Sequence, residues 1–346
     1  MSTDYDIFVI TSNKDIGGEV LDVKSNQWID YGRNIKVQYL DGKNRFTNSL
    51  LLLIKEINPK IIYLNSMFSL NYSILPLYLY FRKKIVSKII VAPRGMLHRG
   101  AIKYKKQKKK IYLDLLNMSG VTKQLYFQAT DEQEKKDIQF HLKVDERKIS
   151  LVPNFPQSLL TPLSTIPKFK SRLKLVFISR VAPKKNLLFF IKQLITQNAH
   201  IELAVYGGIE EGYWDECNQA IRSLPNNIRV EYKGSIEHSE VERVLKENHF
   251  FILSTFGENF GHASFEAFAA GRPVIISDQT PWRGLEQQNI GWDISLGSQE
   301  KWKHAIEYAA NMEQVEFDKW CENAWQYAFQ FIHHSDLKEK YLTLFS

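Results

Sequence analysis

Short apolar runs alternate with amphipathic stretches along most of the chain. Patterns typical of buried strands cover residues 6–10, 35–40, 61–64, 88–92, 149–152, 173–178, 201–206, 228–232 and 250–253. Helical spacing of apolar positions is found over residues 48–57, 73–81, 130–141, 186–194, 237–246 and 317–345. Strands that alternate with helices in this way favour parallel sheets, so the pattern predicts an α/β fold.

The pattern also indicates where the chain divides. A length of 346 residues is more than one hydrophobic core usually holds, and prolines 153 and 156 follow a predicted strand as a plausible hinge. We therefore expect domains at 1–155 and 156–320, and a helical tail at 321–346 that is rich in aromatic residues. No clear apolar helix follows the first strand, so a first domain that lacks its first β-α unit is an alternative.

The most informative segment joins a glycine-containing loop to a helix between two apolar runs. Glu258 and Glu266 are separated by seven residues, and a helix is predicted from about Ala263 or Ser264 to Gly271. A loop that enters a helix N-terminus presents backbone N–H groups and a partial positive charge, which suit phosphate. Carboxylates repel phosphate, but they accept hydrogen bonds from sugar hydroxyls. The combination indicates a site for a nucleotide sugar.

This segment resembles the signature of retaining glycosyltransferases of the group 1 type, family 4, which have the GT-B fold. The family pattern is a Glu, seven residues, a second Glu, and a helix of small residues that ends in Gly-x-Pro-Val-Ile, and the match runs from Glu258 to Ser277. The resemblance implies two Rossmann-like parallel-sheet domains that face a central cleft. Residues 1–155 would form the acceptor side and 156–320 the donor side, with C-terminal helices from 321 crossing back to the first domain.

The resemblance also implies roles for residues of the second domain. Arg180 and Lys185 match the basic pair of the family, and with Glu258 they are the catalytic candidates, although Ser179 and Asn186 replace two glycines of the family pattern. Two cations would stabilise the charge of a departing nucleoside diphosphate without a metal. The donor-binding candidates are Glu266 for the ribose, then Asn259, Phe260, Gly261, His262, Ala263, Gly207, Gly234 and Ser235.

In the first domain the candidates lie at the ends of predicted strands. A Pro-Arg-Gly-Met-Leu segment follows the strand at 88–92 and resembles that of a subgroup of the family. Arg94, Gly95, His98 and Asn65 are expected on the acceptor side, where Arg94 would bind the diphosphate or a phosphate of the acceptor.

Charge and composition add a possible partner. The net charge is +8, and residues 99–110 carry seven basic side chains and no acidic one. With the apolar residues that follow, this Arg99–Lys110 region predicts contact with an anionic membrane surface, and a solvated helix face is the alternative. No nucleic-acid module accompanies it.

Other features bear on location. The two cysteines, Cys217 and Cys321, have no metal or redox spacing, and no signal peptide or spanning segment is visible. These features predict a cytoplasmic protein, or one peripheral on the inner face of the plasma membrane.

The expected function is therefore retaining transfer of a hexose from a nucleotide diphosphate sugar to a hydroxyl acceptor. The expected acceptor is a lipid-linked saccharide in the synthesis of a bacterial surface polysaccharide. No Asp-x-Asp signature is present, so neither a metal nor a cofactor is expected. Two alternatives stay open: a GT-B-like phosphorylase or sugar-nucleotide epimerase, and a non-catalytic or degenerate binding protein.

Overall fold

A computed structural model describes residues 5–14, 18–42, 46–103, 106–155, 162–210, 212–333 and 336–346. The chain forms two compact units. One comprises Met1–Pro153 together with Asp336–Ser346, and the other comprises Asn154–Ser335. Each unit has its own hydrophobic core.

The first unit contains a small mixed sheet and a larger parallel one. Its elements are β1 (Ile7–Ser12), β2 (Trp28–Asp30), β3 (Ile35–Leu40), α1 (Phe46–Ile57), β4 (Ile61–Leu64), α2 (Leu75–Phe81), β5 (Lys88–Val91), α3 (Arg99–Lys103), α4 (Lys106–Met118), β6 (Tyr126–Ala129), α5 (Glu132–Leu142) and β7 (Ile149–Leu151). The small sheet has the order β1-β3-β2, with β1 parallel and β2 antiparallel to β3. The larger sheet, β4-β5-β6-β7, is parallel throughout.

The second unit is built around one six-stranded sheet. Its elements are β8 (Arg172–Ile178), α6 (Leu187–Leu194), β9 (His200–Tyr206), α7 (Tyr213–Ile221), β10 (Ile228–Tyr232), α8 (His238–Lys246), β11 (Phe250–Leu253), α9 (His262–Ala269), β12 (Val274–Ser277), β13 (Gly291–Ile294), α10 (Gln299–Asn311) and α11 (Gln314–His333). All neighbouring strands are parallel, in the order β10-β9-β8-β11-β12-β13. In chain order this is 3-2-1-4-5-6, the arrangement of a Rossmann fold.

The last helix, α12 (Leu337–Leu344), belongs to the first unit. Its buried side chains Leu337, Tyr341 and Leu344 pack with Ile90 and Val152. The sequence placed the start of this returning segment at residue 321, and the structure corrects that boundary. Residues 321–333 continue α11, which packs against α9 of the second unit, where Tyr327 and Phe331 contact the rings of Phe268 and Phe265.

Between β1 and β3 the described residues form the short strand β2 and no helix, in line with the lack of an apolar helical pattern after the first strand. A π-helical turn at Leu70–Ile74 precedes α2, so Pro76 lies in the first turn, where its missing N–H is tolerated. The helix predicted at 130–141 begins slightly later, because the Asp131 side chain caps α5 by accepting the backbone N–H of Glu134 at 2.8 Å.

None of the helices described reaches the length and apolarity needed to cross a bilayer.

Candidate functional site

The three catalytic candidates lie after the carboxyl ends of two neighbouring central strands. β8 is followed by Arg180 and Lys185, and its neighbour β11 is followed by the loop that contains Glu258. The order of strands reverses between β8 and β11, and in open parallel sheets ligands bind in the crevice outside that point. The second unit therefore places the signature loop where its fold has a natural binding site.

The two loops are held together by hydrogen bonds between backbone and side chains. The carbonyl of Lys184 accepts the Phe256 N–H at 2.9 Å and the Thr255 hydroxyl at 3.2 Å. The Ser254 hydroxyl donates to the carbonyl of Asn186 at 2.8 Å. Asn186 adopts φ 57°, so it occupies the left-handed conformation that its glycine counterpart in the family pattern would adopt without strain.

Lys185 and Glu258 form an ion pair across this junction. Lys185 Nζ lies 2.7 Å from Glu258 Oε1, and the two side chains are 16% and 14% exposed. A largely buried pair of this kind holds both side chains in place, because breaking it would leave an unpaired charge that water reaches only in part. Seventy-three residues separate the partners in sequence, so the folded structure alone reveals the pair.

Lys184 links this pair electrostatically to Arg180. Burial lowers the pKa of Lys184, the positive charges of Lys185 and Arg180 lower it further, and Glu258 raises it. Lys184 therefore lies within electrostatic range of all three catalytic candidates. Three cations and one carboxylate in this region leave a local positive charge, which suits an anionic ligand.

Glu266 lies on α9 at the same edge of the sheet. Its side chain is 20% exposed, and no group within the described ranges donates a hydrogen bond to its carboxylate. The nearest basic atom, His238 Nδ1, is 4.0 Å away, which is too far for a hydrogen bond. Burial raises the pKa of Glu266 and His238 lowers it. A largely buried carboxylate without protein donors can accept hydroxyl groups of a ligand.

The sequence did not identify His238. It is the first residue of α8, and its side chain is 63% exposed. In the sequence, the one indication that His238 could lie near the site was its position shortly after the predicted loop at Gly234 and Ser235.

The loop between the two carboxylates offers mainly its backbone. The Phe260 side chain is buried against Phe265 and Trp282, so only its main chain can contact a ligand. Gly261 adopts φ 73°, and a Cβ there would approach Trp282 Nε1 to 3.1 Å. This close approach explains the glycine, whose carbonyl accepts the N–H groups of the first turn of α9.

The remaining residues of this loop lie at the helix start. His262 is the first residue of α9, and its ring lies 4.7 Å from that of Phe260. Ala263 follows it in the first helical turn, and Asn259 precedes the loop's glycine. The donor-binding roles of these three residues stay a prediction.

Gly207 is required by packing between strands. Its φ is 130°, and a Cβ would lie 2.1 Å from the carbonyl oxygen of Ser179. Its N–H donates to the carbonyl of Gly234 at 2.9 Å, which joins the loops after β9 and β10. Ser235 is exposed beside them. These residues follow the carboxyl ends of β9 and β10, at the same edge of the sheet as the catalytic candidates. In the sheet, β8 separates β9 from β11.

In the first unit, Arg94 and Asn65 are brought together. Arg94 Nε donates to Asn65 Oδ1 at 2.6 Å, across the ends of β4 and β5. The N–H of Gly95 donates to Glu134 Oε1 at 2.6 Å. His98 makes a different contact, since its Nδ1 accepts the N–H of Gly100 at 3.3 Å at the start of α3.

Two residues of this region were missed by the sequence. Tyr63 OH accepts from Arg94 Nη2 at 2.8 Å, and buried Glu134 also accepts the N–H and the hydroxyl of Thr130. Tyr63 lies two positions before Asn65 in an extended segment and so faces the same side, a signal that could have found it. Nothing in the sequence pattern indicated that Glu134 would turn inwards towards Gly95.

Comparison with known proteins supports this description of the second unit. Residues 164–328 match the model of a family described as glycosyl transferases group 1. The matched segment lies inside the second unit and covers a little under half of the chain. It includes Arg180, Lys185, Glu258 and Glu266. No curated protein matches the chain.

Solved structures resemble the chain over most of its length. It is similar to S. aureus TarM, in a structure with fondaparinux, α-GlcNAc-glycerol and UDP, at 16% identity and a TM-score of 0.62. That match covers 87% of this chain but only 59% of the TarM chain. Sucrose-phosphate synthase from Thermosynechococcus elongatus matches at 14% identity, over 99% of this chain and 89% of its own, with a TM-score of 0.72.

A third similar structure is WaaG, a glycosyltransferase involved in lipopolysaccharide biosynthesis. It matches at 14% identity over 90% of this chain and 87% of its own, with a TM-score of 0.65. Identities this low show a shared fold and nothing finer. The predicted fold class, α/β of the GT-B type, is confirmed.

Proposed function

We propose that this chain is a retaining glycosyltransferase that moves a hexose from a nucleotide diphosphate sugar to a hydroxyl acceptor. The observation that carries the proposal is the Lys185–Glu258 pair at the strand-order reversal, with Lys184 in electrostatic range of both partners and of Arg180. The group 1 family match over the second unit and the sugar or UDP ligands of TarM support it.

Each group would have a distinct task. In the transfer, the bond between the anomeric carbon and the phosphate oxygen breaks, and the acceptor oxygen bonds to that carbon on the same face. The acceptor proton passes to the leaving phosphate oxygen. Arg180 and Lys185 would stabilise the charge that grows on the diphosphate, which positioned cations in a partly dry site do effectively. Neither a metal nor a cofactor is needed in this scheme.

The carboxylates would bind hydroxyls rather than act as an acid and nucleophile pair. Glu258 would contact the transferred sugar near its reacting carbon, while its second task is to hold the ammonium of Lys185 in place. Glu266 would bind the ribose hydroxyls, which supply the donors that its carboxylate lacks within the protein. The loop at 259–263 would contribute backbone donors at the start of α9. Gly207, Gly234 and Ser235 would line the side of the base.

The decisive experiment combines binding and turnover. UDP, GDP and ADP sugars are titrated into the full chain by calorimetry, and transfer is then measured with the donor that binds. We expect Arg180→Ala and Glu258→Ala each to reduce transfer by at least about 100-fold, as the loss of one transition-state contact typically does. Lys319→Met is the matched control, since it removes an exposed lysine paired with Glu322 at 2.9 Å.

Three outcomes separate the proposal from its alternatives. Rates within a few-fold of wild type for both variants would rule out the assigned roles. Turnover of the donor without any acceptor would favour a phosphorylase or epimerase. Absence of binding by every nucleotide sugar would favour a degenerate binding protein.

We also propose that the acceptor is a lipid-linked saccharide of a bacterial surface polysaccharide, met at an anionic membrane surface. Within the Arg99–Lys110 region, Arg99–Lys103 forms α3 and Lys106–Lys110 begins α4, while residues 104 and 105 lie outside the described residues. Beyond it, α4 exposes an apolar stripe of Ile111, Leu115 and Met118, which are 60%, 60% and 83% exposed. A helix with basic residues beside exposed apolar ones can lie in the interface of an anionic bilayer.

Vesicle flotation tests this location. Full-length protein should float with vesicles that contain phosphatidylglycerol and not with neutral ones, and Leu115→Ser should reduce the floated fraction. Leu52→Ser, at a 66% exposed leucine of α1, is the control. Flotation that is independent of anionic lipid, or equal loss in both variants, would contradict the proposal.

A further inference from the structure

Arg94 is held in an unusual conformation at the end of a buried strand. Its φ is 55°, in the left-handed region, which costs a residue with a side chain about 1–3 kcal/mol and persists only where the surroundings enforce it. Its guanidinium donates through Nε to Asn65 Oδ1 and through Nη2 to Tyr63 OH, and it lies 6.0 Å from the centroid of the Tyr63 ring. One edge of the planar group is therefore positioned by the protein.

The acceptors of Arg94 are themselves anchored in the core. Tyr63 OH donates to Gln128 Oε1, and Gln128 is fully buried. Gln128 Nε2 donates to the carbonyl of Val152 at 2.7 Å and to Tyr341 OH at 3.2 Å. Tyr341 belongs to α12, so the returning C-terminal helix supports the orientation of Arg94.

The charge of Arg94 is not compensated by this network. Both of its acceptors are neutral, and within the described ranges no carboxylate oxygen lies within 4.0 Å of its guanidinium nitrogens. Buried Glu134 is close by, but its oxygens accept from Gly95 and Thr130 instead. Burial raises the pKa of Tyr63, so the phenol stays neutral as well.

This geometry resembles a binding site rather than a structural ion pair. Two of the five N–H donors of a guanidinium are used here, and the fork that remains matches two oxygens of a phosphate group. The hydrogen bond between Arg94 and Asn65 lies in an exposed environment, so a ligand can reach it.

We propose that Arg94 binds a phosphoryl group on the first unit and that Tyr63 is its positioning residue. This inference rests on the proposed function in one respect: the molecule that carries the phosphoryl group would be the acceptor of the sugar. An acceptor of this kind would present a phosphate or diphosphate next to the hydroxyl that receives the sugar. The first unit would then select acceptors by their phosphate.

The test measures binding of inorganic phosphate to the full chain, with and without saturating UDP. Wild type should bind phosphate in both conditions, and Arg94→Gln should weaken binding at least about 10-fold without changing the affinity for UDP. Arg94→Lys should restore part of the loss. Arg82→Gln is a matched control, because Arg82 also lies 6.0 Å from a tyrosine ring, that of Tyr78, and has no place in the network.

Tyr63→Phe distinguishes positioning from general stability. The variant should weaken phosphate binding several-fold in the wild-type background, and have no further effect in the Arg94→Gln background. An equal effect in both backgrounds would overturn the positioning role. Phosphate affinity of Arg94→Gln within two-fold of wild type would overturn the site itself. If no nucleotide binds, the proposed function is contradicted, but the phosphate measurement still decides whether Arg94 forms a phosphoryl site.

Vesicles then identify the carrier. Neutral vesicles with one tenth polyprenyl phosphate are compared with vesicles that carry the same fraction of phosphatidylglycerol. Arg94-dependent binding to the former alone would identify an acceptor phosphate. Equal Arg94-dependent binding to both would identify a lipid headgroup, which has the same phosphoryl chemistry.

Discussion

His249 should make the second unit sensitive to mild acid. Its side chain is 3% exposed, and it accepts the Lys174 N–H through Nδ1 at 2.8 Å, while Nε2 faces the carbonyl of Pro167 at 3.0 Å. These partners fit the neutral ring with its hydrogen on Nε2. A second proton, on Nδ1, would point at the N–H of Lys174.

The magnitude follows from the pKa. Burial above all, together with the positive charges of Lys168, Lys174 and Arg272, lowers the pKa of His249 from 6.5 to about 4, although the bond to Pro167 opposes the shift. As the pH falls below 6.5, the unfolded chain takes up a proton that the folded unit does not. Stability is therefore complete above about pH 7 and declines by about 3 kcal/mol by pH 4, at 1.36 kcal/mol per pH unit.

Urea denaturation between pH 7 and pH 4 measures this loss. Six of the seven tryptophans lie in the second unit, so their fluorescence reports its unfolding. His249→Asn keeps an acceptor near Lys174 and cannot titrate, so the difference between wild type and this variant isolates the histidine.

The difference should change by about 3 kcal/mol across the range. His200→Gln, at an exposed histidine of the same unit, should behave like wild type. Parallel stability curves for wild type and His249→Asn would refute the reasoning.

Two further predictions concern stability. Gly207→Ala should lower the free energy of unfolding by about 2–3 kcal/mol, because the added Cβ would lie 2.1 Å from the Ser179 carbonyl oxygen. Gly208→Ala should be nearly neutral in the same urea assay, because no atom lies within 4 Å of the Cβ it would add. Lys168→Met should lower the free energy of unfolding by about 2 kcal/mol or more, because buried Lys168 Nζ donates to three carbonyls, two of them at the end of α10. Lys170→Met, at an exposed lysine, should have little effect. Equal urea midpoints for the two glycine variants would contradict the packing argument, and equal midpoints for the two lysine variants would contradict the argument from the buried hydrogen bonds.

The sequence predicted most elements within one or two residues. Strands such as 35–40, 61–64 and 250–253 match the structure, because their apolar runs report burial within one segment. The donor-side loop could also be predicted from the sequence, because its carboxylates, its glycines and the start of the following helix are close together in the chain. The start of the returning tail was wrong, because helical periodicity does not say which unit a helix packs on.

The amino-acid sequence by itself determined the alternation of strands and helices, the loop around Glu258 and the helix start behind it. These features depend on residues close together in the chain. Only the tertiary structure decided that Lys185 pairs with Glu258, and that Tyr63, Gln128 and Tyr341 support Arg94. Such contacts join segments far apart in sequence, so strand order and helix packing, rather than local propensity, determine which side chains meet.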